Sequence, residues 1–337
     1  MSRTGVLWLL VLRPVRLGVH TARGCLSVAV DREGVDIMRA TVITVSALLL
    51  LTGCADESQD ETAGASPGDS SGEVREEAAE TSTSITDVYI ALGDSYAAMG
   101  GRNQPLRGEP FCLRSSGNYP ELVHAEVTDL TCQGAVTGDL LEPRALGERT
   151  LPAQLDALTE DTTLVTLSIG GNDLGFGEVA GCIRERIAVE NTDDCVDLLE
   201  ETIGEQLDQL PPQLDRVHED IRDRAGDAQV VVTGYLPLVS TGDCPELGDV
   251  SEADRRWAVQ LTEQINETVR DAAERHDAIF VLPDDADEHT SCTPPEERWA
   301  DIQGQQTDAY PLHPTSAGHE AMATAVRDAL DLEPGRP

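Results

Sequence analysis

The chain has 337 residues, with 62 acidic against 24 basic side chains and a formal net charge of −38. Every base is an arginine, and so strong an acid excess leaves no basic patch to release counterions from a phosphate backbone, which excludes nucleic acid as a partner. Hydrophobic residues at 40% suffice for a core and exclude wholesale disorder, while three Trp, five Tyr and three Phe offer little for stacking on bases or sugars.

The first 53 residues differ from the rest, holding six of the arginines and three of the acids. From Met38 a short positive start leads into an apolar run of about a dozen residues, the organisation of a secretory signal and too short to cross a bilayer. The run ends in Leu51-Thr52-Gly53-Cys54, which resembles the lipobox of bacterial lipoproteins. That resemblance implies a start at Met38, cleavage before Cys54 and lipidation of Cys54. Membrane contact is then expected only through the anchor, with the protein extracellular or held on the outer face of the cytoplasmic membrane. Residues 54–86 are rich in Asp, Glu, Ser, Thr and Gly, cannot bury a core, and read as an acidic flexible tether.

Residues 87–333 read as one domain. Val88–Leu92, Leu164–Ile169, Ala228–Thr233 and Ala278–Leu282 are short apolar runs, most of them closing on a Gly or Asp turn, and Val127–Cys132 is a weaker fifth strand. Val196, Leu199, Ile203, Leu207, Leu210, Leu214, Val217 and Ile221 step by three and four along a long helix that Pro211-Pro212 is expected to kink. Trp257, Leu261, Ile265, Val269 and Ala272 form a second stripe behind a capping Ser251, and Met322, Val326 and Leu330 a third behind Thr315 or Ser316. Alternating strands and helices predict an α/β fold of three layers, α/β/α, on a mainly parallel five-stranded sheet. Functional residues in such folds gather at the carboxyl ends of the strands.

Six cysteines lie in this domain: Cys112, Cys132, Cys182, Cys195, Cys244 and Cys292. An even count in an exported chain argues for three disulfides, and no pair has the close spacing of a zinc site.

Four short motifs follow predicted strands or precede the last helix. Gly93-Asp94-Ser95-Tyr96 closes the first strand, where a serine can expose its hydroxyl and its own N–H. Ala97 departs from the Gly-x-Ser-x-Gly nucleophile elbow. Cys132-Gln133-Gly134 offers a glycine N–H, Gly170-Gly171-Asn172-Asp173 a side-chain amide, and His313-Pro314 an imidazole. Asp94 and Asp173, beside glycines at turns, are expected to bond the backbone rather than to react.

Together and in this order, the four motifs resemble the SGNH (GDSL-type) hydrolases, and the likeness runs from about Asp87 to Leu330. It is nearest to the secreted bacterial GDSL esterases and lipases with three disulfides, through Phe111-Cys112, Asn118-Tyr119-Pro120 and Gly170–Phe176. The resemblance implies Ser95 as nucleophile and His313 as general base. It implies an oxyanion hole from the Ser95 N–H, the Gly134 N–H and the Asn172 amide. Disulfides Cys112–Cys132, Cys182–Cys195 and Cys244–Cys292 are also implied, as is hydrolysis of a small ester or lipid by a monomer without metal or cofactor. Most of the family carries an aspartate three residues before the histidine, where this chain has Tyr310. The Tyr310 backbone carbonyl is the expected orienter of His313, with Asp308 as the alternative. Other readings of the same fold are a polysaccharide O-deacetylase and a non-catalytic envelope binding lipoprotein.

Overall fold

The computed structural model describes residues 84–188 and 193–332. The signal, Cys54 and the tether up to residue 83 lie outside the described residues.

The chain enters through β1 (Tyr89–Gly93), every residue of which is buried. It continues through the one-turn α1 (Ser95–Ala98), α2 (Tyr119–Val123) and a short β2 (Thr128–Asp129). Next come α3 (Thr137–Leu141), a hairpin of β3 (Arg144–Leu146) and β4 (Arg149–Leu151), and the wholly buried β5 (Leu164–Ser168). The second half runs α4 (Phe176–Ala188), α5 (Cys195–Arg224), β6 (Gln229–Thr233), α6 (Glu252–Arg275) and β7 (Ile279–Val281). It closes with β8 (Ala300–Asp301), β9 (His313–Pro314) and α7 (Ser316–Ala329).

Five strands form one parallel sheet in the order β2-β1-β5-β6-β7. From β1 the chain first builds outward to β2, then returns and builds the other way. Right-handed crossovers therefore put α2 and α7 on one face, and α5 and α6 on the other. The contacts agree, α2 packing on α7 and α5 on α6. The order reverses between β1 and β5, and a doubly wound sheet opens a crevice beyond the strand ends at that point. Ile90 pairs with Val165 and Gly93 with Ser168, so the two loops bearing Ser95 and Asn172 leave the sheet side by side. Gly93 has φ +140, and a side chain there would strike the Ser168 carbonyl.

The helix spacing is realised closely. Ser251 accepts from Asp254 N–H at the start of α6, and Thr315, not Ser316, caps α7 by accepting from Gly318 N–H. Helix α5 runs on through Pro211 and Pro212 as one element of 30 residues. Its apolar stripe of Ile203, Leu210, Leu214, Val217 and Ile221 is buried. The burial of that stripe outweighs the local cost of the prolines. Cys112–Cys132, Cys182–Cys195 and Cys244–Cys292 are bonded. In the chain-entropy view each closed loop contributes on the order of 3 kcal/mol. Among the described residues no helix is long and apolar enough to cross a membrane.

Candidate active site

Ser95 is the first residue of α1, directly beyond β1. Asp94 caps that turn, its Oδ1 accepting from Tyr96 N–H at 2.9 Å, and its own N–H bonds the Ser168 carbonyl at 2.9 Å. The serine is thereby tied to the end of β5 and is 9% exposed. Among the described residues its N–H has no protein acceptor, as befits the first residue of a helix.

Asn172 follows β5 on the Gly170–Asp173 turn. One N–H of its amide donates to the Ala135 carbonyl at 2.9 Å, which aims the side chain at the neighbouring loop and leaves the other N–H free to donate elsewhere. Asp173 accepts from Thr137 N–H at 3.0 Å and from its hydroxyl at 2.6 Å, clamping the same two loops. Burial raises its carboxyl pKa, opposed by those bonds from Thr137.

Gly134 lies on the loop so held, with φ +66, and its N–H likewise has no protein acceptor. Arg144 fixes this loop from outside, donating to Gln133 O at 2.9 Å, while Cys132 is bonded to Cys112. Gln154 closes the adjoining end of β1, its amide both accepting from Gly93 N–H at 2.7 Å and donating to Gly93 O at 3.0 Å. It thereby gives Gly93 N–H the acceptor that the short β2 does not, while Cys132 N–H continues the ladder to Gly93 O at 2.9 Å.

His313 stands on β9, paired with Asp301 of β8, and the flanking bonds Leu312 N–H to Asp301 O and Thr315 N–H to Trp299 O are each 2.9 Å. Its Nδ1 bonds the carbonyl of Pro311 at 2.7 Å. This corrects both sequence expectations for the orienter. Leu312 takes the left-handed conformation, φ +70, which folds the chain so tightly that the ring meets the carbonyl two residues back. The Tyr310 carbonyl instead accepts the backbone N–H of His313 at 3.2 Å. Asp308 is occupied at the start of α7, where it accepts from the N–H and hydroxyl of Ser316. Burial holds the His313 pKa below its ordinary value, against the Pro311 bond that favours the cation. With Nδ1–H bonded to a carbonyl, the neutral ring leaves Nε2 as its basic nitrogen.

Ser95, Asn172 and His313 line one cleft of about 70 Å³, walled by Tyr96, Phe176, Ala180, Tyr235 and Leu312. Gly134 is not on that wall but on the adjoining loop, joined to it by the Asn172–Ala135 bond. No hydrogen bond joins Ser95 to His313 here, a contact that often tightens only with substrate in place. A larger groove of about 1380 Å³ between α6 and α7 contains none of these residues. Tyr235, beyond β6, was missed by sequence reasoning, although its place after a strand was a usable signal.

A hydroxyl, a neutral imidazole and backbone and amide donors around one cleft can perform acyl transfer. A family model for the GDSL-like lipase/acylhydrolase family matches residues 91–321. Lipase 2 of Streptomyces coelicolor is 30% identical over 257 residues, 73% of this chain and 86% of that protein. Lipase 1 of the same organism is 31% identical over 243 residues, 69% and 82% of the two chains. The crystal structure of phospholipase A1 from Streptomyces albidoflavus is similar with a TM-score of 0.59 and 28% identity, covering 72% of this chain and 98% of that one. The extracellular lipase of Streptomyces rimosus gives 0.57 and 27%, with the same coverage. The chain belongs to the GDSL-like lipase/acylhydrolase family and is a carboxylic ester hydrolase.

Proposed function

We propose that the protein is an exported esterase or lipase that works through a Ser95–His313 dyad and an acyl-enzyme. The observation that carries this reading is the shared cleft of Ser95, Asn172 and a His313 kept neutral by burial and oriented by a carbonyl. His313 Nε2 takes the Ser95 proton as Oγ adds to the ester carbonyl. The tetrahedral oxyanion accepts from the Ser95 N–H, the Gly134 N–H and the Asn172 amide, each worth about 3 kcal/mol of barrier. The imidazolium then protonates the leaving alkoxide, and water repeats the two steps on the acyl-enzyme.

The cleft itself has room for a short acyl group, about two waters' worth of space. Beyond it, Phe176 and Ala180 also line a second, apolar cavity with Val179, Ile183, Leu238 and Ile302. That cavity measures only about 20 Å³, so a longer chain would enter it only if α4 and the segment after β6 moved apart. A small soluble ester fits the cleft as it stands, and the lipase relatives favour a lipid ester as well.

Three disulfides support export to an oxidising compartment. The lipobox-like Leu51–Cys54 supports anchoring through Cys54, with residues 54–86 as tether and 87–333 as the catalytic domain. Turnover of p-nitrophenyl esters of increasing chain length tests the catalytic reading, with Ser95→Ala and His313→Ala alongside. Mass analysis of the mature N-terminus tests the anchor, which an unmodified terminus other than Cys54 would refute.

A further inference from the structure

We propose that Tyr235 is a positioning residue of the centre: its hydroxyl straps the Ser95 turn to the Gly170–Asn172 loop and so sets the spacing between nucleophile and amide donor. The inference builds on the roles of Ser95 and Asn172 given above.

The strap has fixed ends and a fixed middle. Tyr235 sits two residues past the end of β6 and is 1% exposed. Asn266 of α6 pins its backbone from both sides, accepting from Tyr235 N–H at 2.7 Å and donating to Tyr235 O at 3.0 Å. The ring lies so close to Gly171 that a side chain there would sit 3.0 Å from it. The phenol oxygen accepts from Gly171 N–H at 2.8 Å and donates to Asp94 Oδ2 at 2.6 Å. Asp94 uses its other oxygen to cap the turn that carries Ser95. One oxygen atom thus connects the residue before the nucleophile with the residue before the oxyanion amide.

The proton order on this chain is forced. The Gly171 N–H can only donate, so the phenol must give its single proton to Asp94, which must accept it as a carboxylate. A proton on Asp94 Oδ2 would point a second donor at the phenol and leave the phenol proton without a partner, and one on Oδ1 would compete with the Tyr96 N–H bond that caps the Ser95 turn. The groups facing Asp94 are the hydroxyls of Tyr235, Tyr96 and Tyr119, the carboxyl of Asp173 and the Tyr96 N–H. All three phenols are held neutral by burial. Burial pushes the Asp94 pKa up to about 7, opposed by the bonds from Tyr235 and Tyr96. The strap is therefore complete on the alkaline side of neutrality.

Tyr235→Phe removes the oxygen and keeps the ring packed against Tyr96 at 5.0 Å and Phe176 at 6.4 Å. A small displacement of Asn172 from Ser95 should lower kcat about 10- to 100-fold on a short p-nitrophenyl ester, with KM within about twofold. Labelling of Ser95 by a fluorophosphonate should slow in parallel. If the hydroxyl acts through Asp94, Tyr235→Phe combined with Asp94→Asn loses no more than the worse single variant. A kcat within about twofold of wild type, a loss confined to KM, or losses that multiply overturns the proposal. Wild-type labelling and turnover are the control on the esterase reading, whose failure would silence both. The strap has its own readout apart from activity: the Gly171 amide resonance should move and its hydrogen exchange quicken in Tyr235→Phe, where that N–H loses its acceptor, while amides of the α5–α6 face stay put and report folding. A Gly171 resonance and exchange rate unchanged in the folded variant overturns the strap.

Discussion

His313 bonds the carbonyl of Pro311 through Nδ1 at 2.7 Å, and no carboxylate among the described residues touches its ring. A carbonyl can fix the imidazole's tautomer and tilt as a carboxylate does, but adds only a dipole to stabilise the cation. The proposed centre is accordingly a dyad. Asp308→Ala should lower kcat less than about tenfold, while costing about 1 kcal/mol of stability because Ser316 at the start of α7 loses its acceptor. Kinetics and thermal melts of the variant check both halves, and a loss above a hundredfold in a folded protein would restore Asp308 as orienter.

The pH dependence of activity follows from the same ring. Burial disfavours the imidazolium of His313 before substrate binds. In Asp94→Asn, where the strap no longer titrates, the acid limb of kcat/KM should therefore have its midpoint below the ordinary histidine value of 6.5. A midpoint above that value in this variant would mean that a negative charge raises the His313 pKa.

Two buried histidines should lower stability on the acid side for a separate reason. His319 accepts from Tyr119 N–H through Nδ1 at 3.1 Å and donates to the Met99 carbonyl at 3.0 Å, so neither nitrogen can take a proton without breaking a bond. Burial pushes its pKa down to about 4, and burial with the neighbouring His276 does the same to His218. Between about 4 and 6.5 these two histidines bind protons in the unfolded chain and not in the folded one, so their contribution to stability rises with pH across that window and is lost as pH falls through it. Asp94, whose carboxyl is raised to about 7, acts in the opposite sense, so the histidine part is read by difference. The change in melting temperature between pH 7 and pH 4, compared between wild type and His319→Gln, measures it, and the variant should lose less on acidification.

Much of this was legible in the sequence. The apolar runs ending in Gly or Asp mark all four long strands, because a parallel strand buried on both faces must be apolar throughout. The strand-end motifs bring Ser95 and Asn172 to one crevice, because loops at that edge share it, with Gly134 on the adjoining loop. What stayed hidden depends on backbone dihedrals or on partners far apart in the chain. The carbonyl at His313 cannot be identified without the left-handed Leu312. Gln154 lies 61 residues from Gly93, and Tyr235 lies 141 from Asp94, so neither pairing has a local signature. Helix α4 carries Gly177 and Gly181 and polar residues, and its periodicity is weak.

The Cys112–Cys132 bond sits two residues from Gly134 and braces the loop that carries it as well as the fold. Replacing both cysteines by alanine should cost on the order of 3 kcal/mol and lower kcat as well. Replacing the Cys244–Cys292 pair should cost stability with little change in kcat. Equal kcat in the two variants would show that the disulfide does not support the loop.

Ala180 lines both the catalytic cleft and the apolar cavity beyond it. Ala180→Phe should fill the space between the two, lowering turnover of esters of about eight carbons or more by a larger factor than that of acetyl and butyryl esters. A uniform loss across chain lengths would place the acyl path elsewhere.

The nucleophile is the claim on which the rest depends. Ser95→Ala, assayed beside the wild type and treated with a fluorophosphonate, tests it most directly. The account predicts ester turnover and a single labelled peptide containing Ser95 in the wild type, and neither in the variant, with both proteins folded. Turnover or labelling that survives in Ser95→Ala would contradict it.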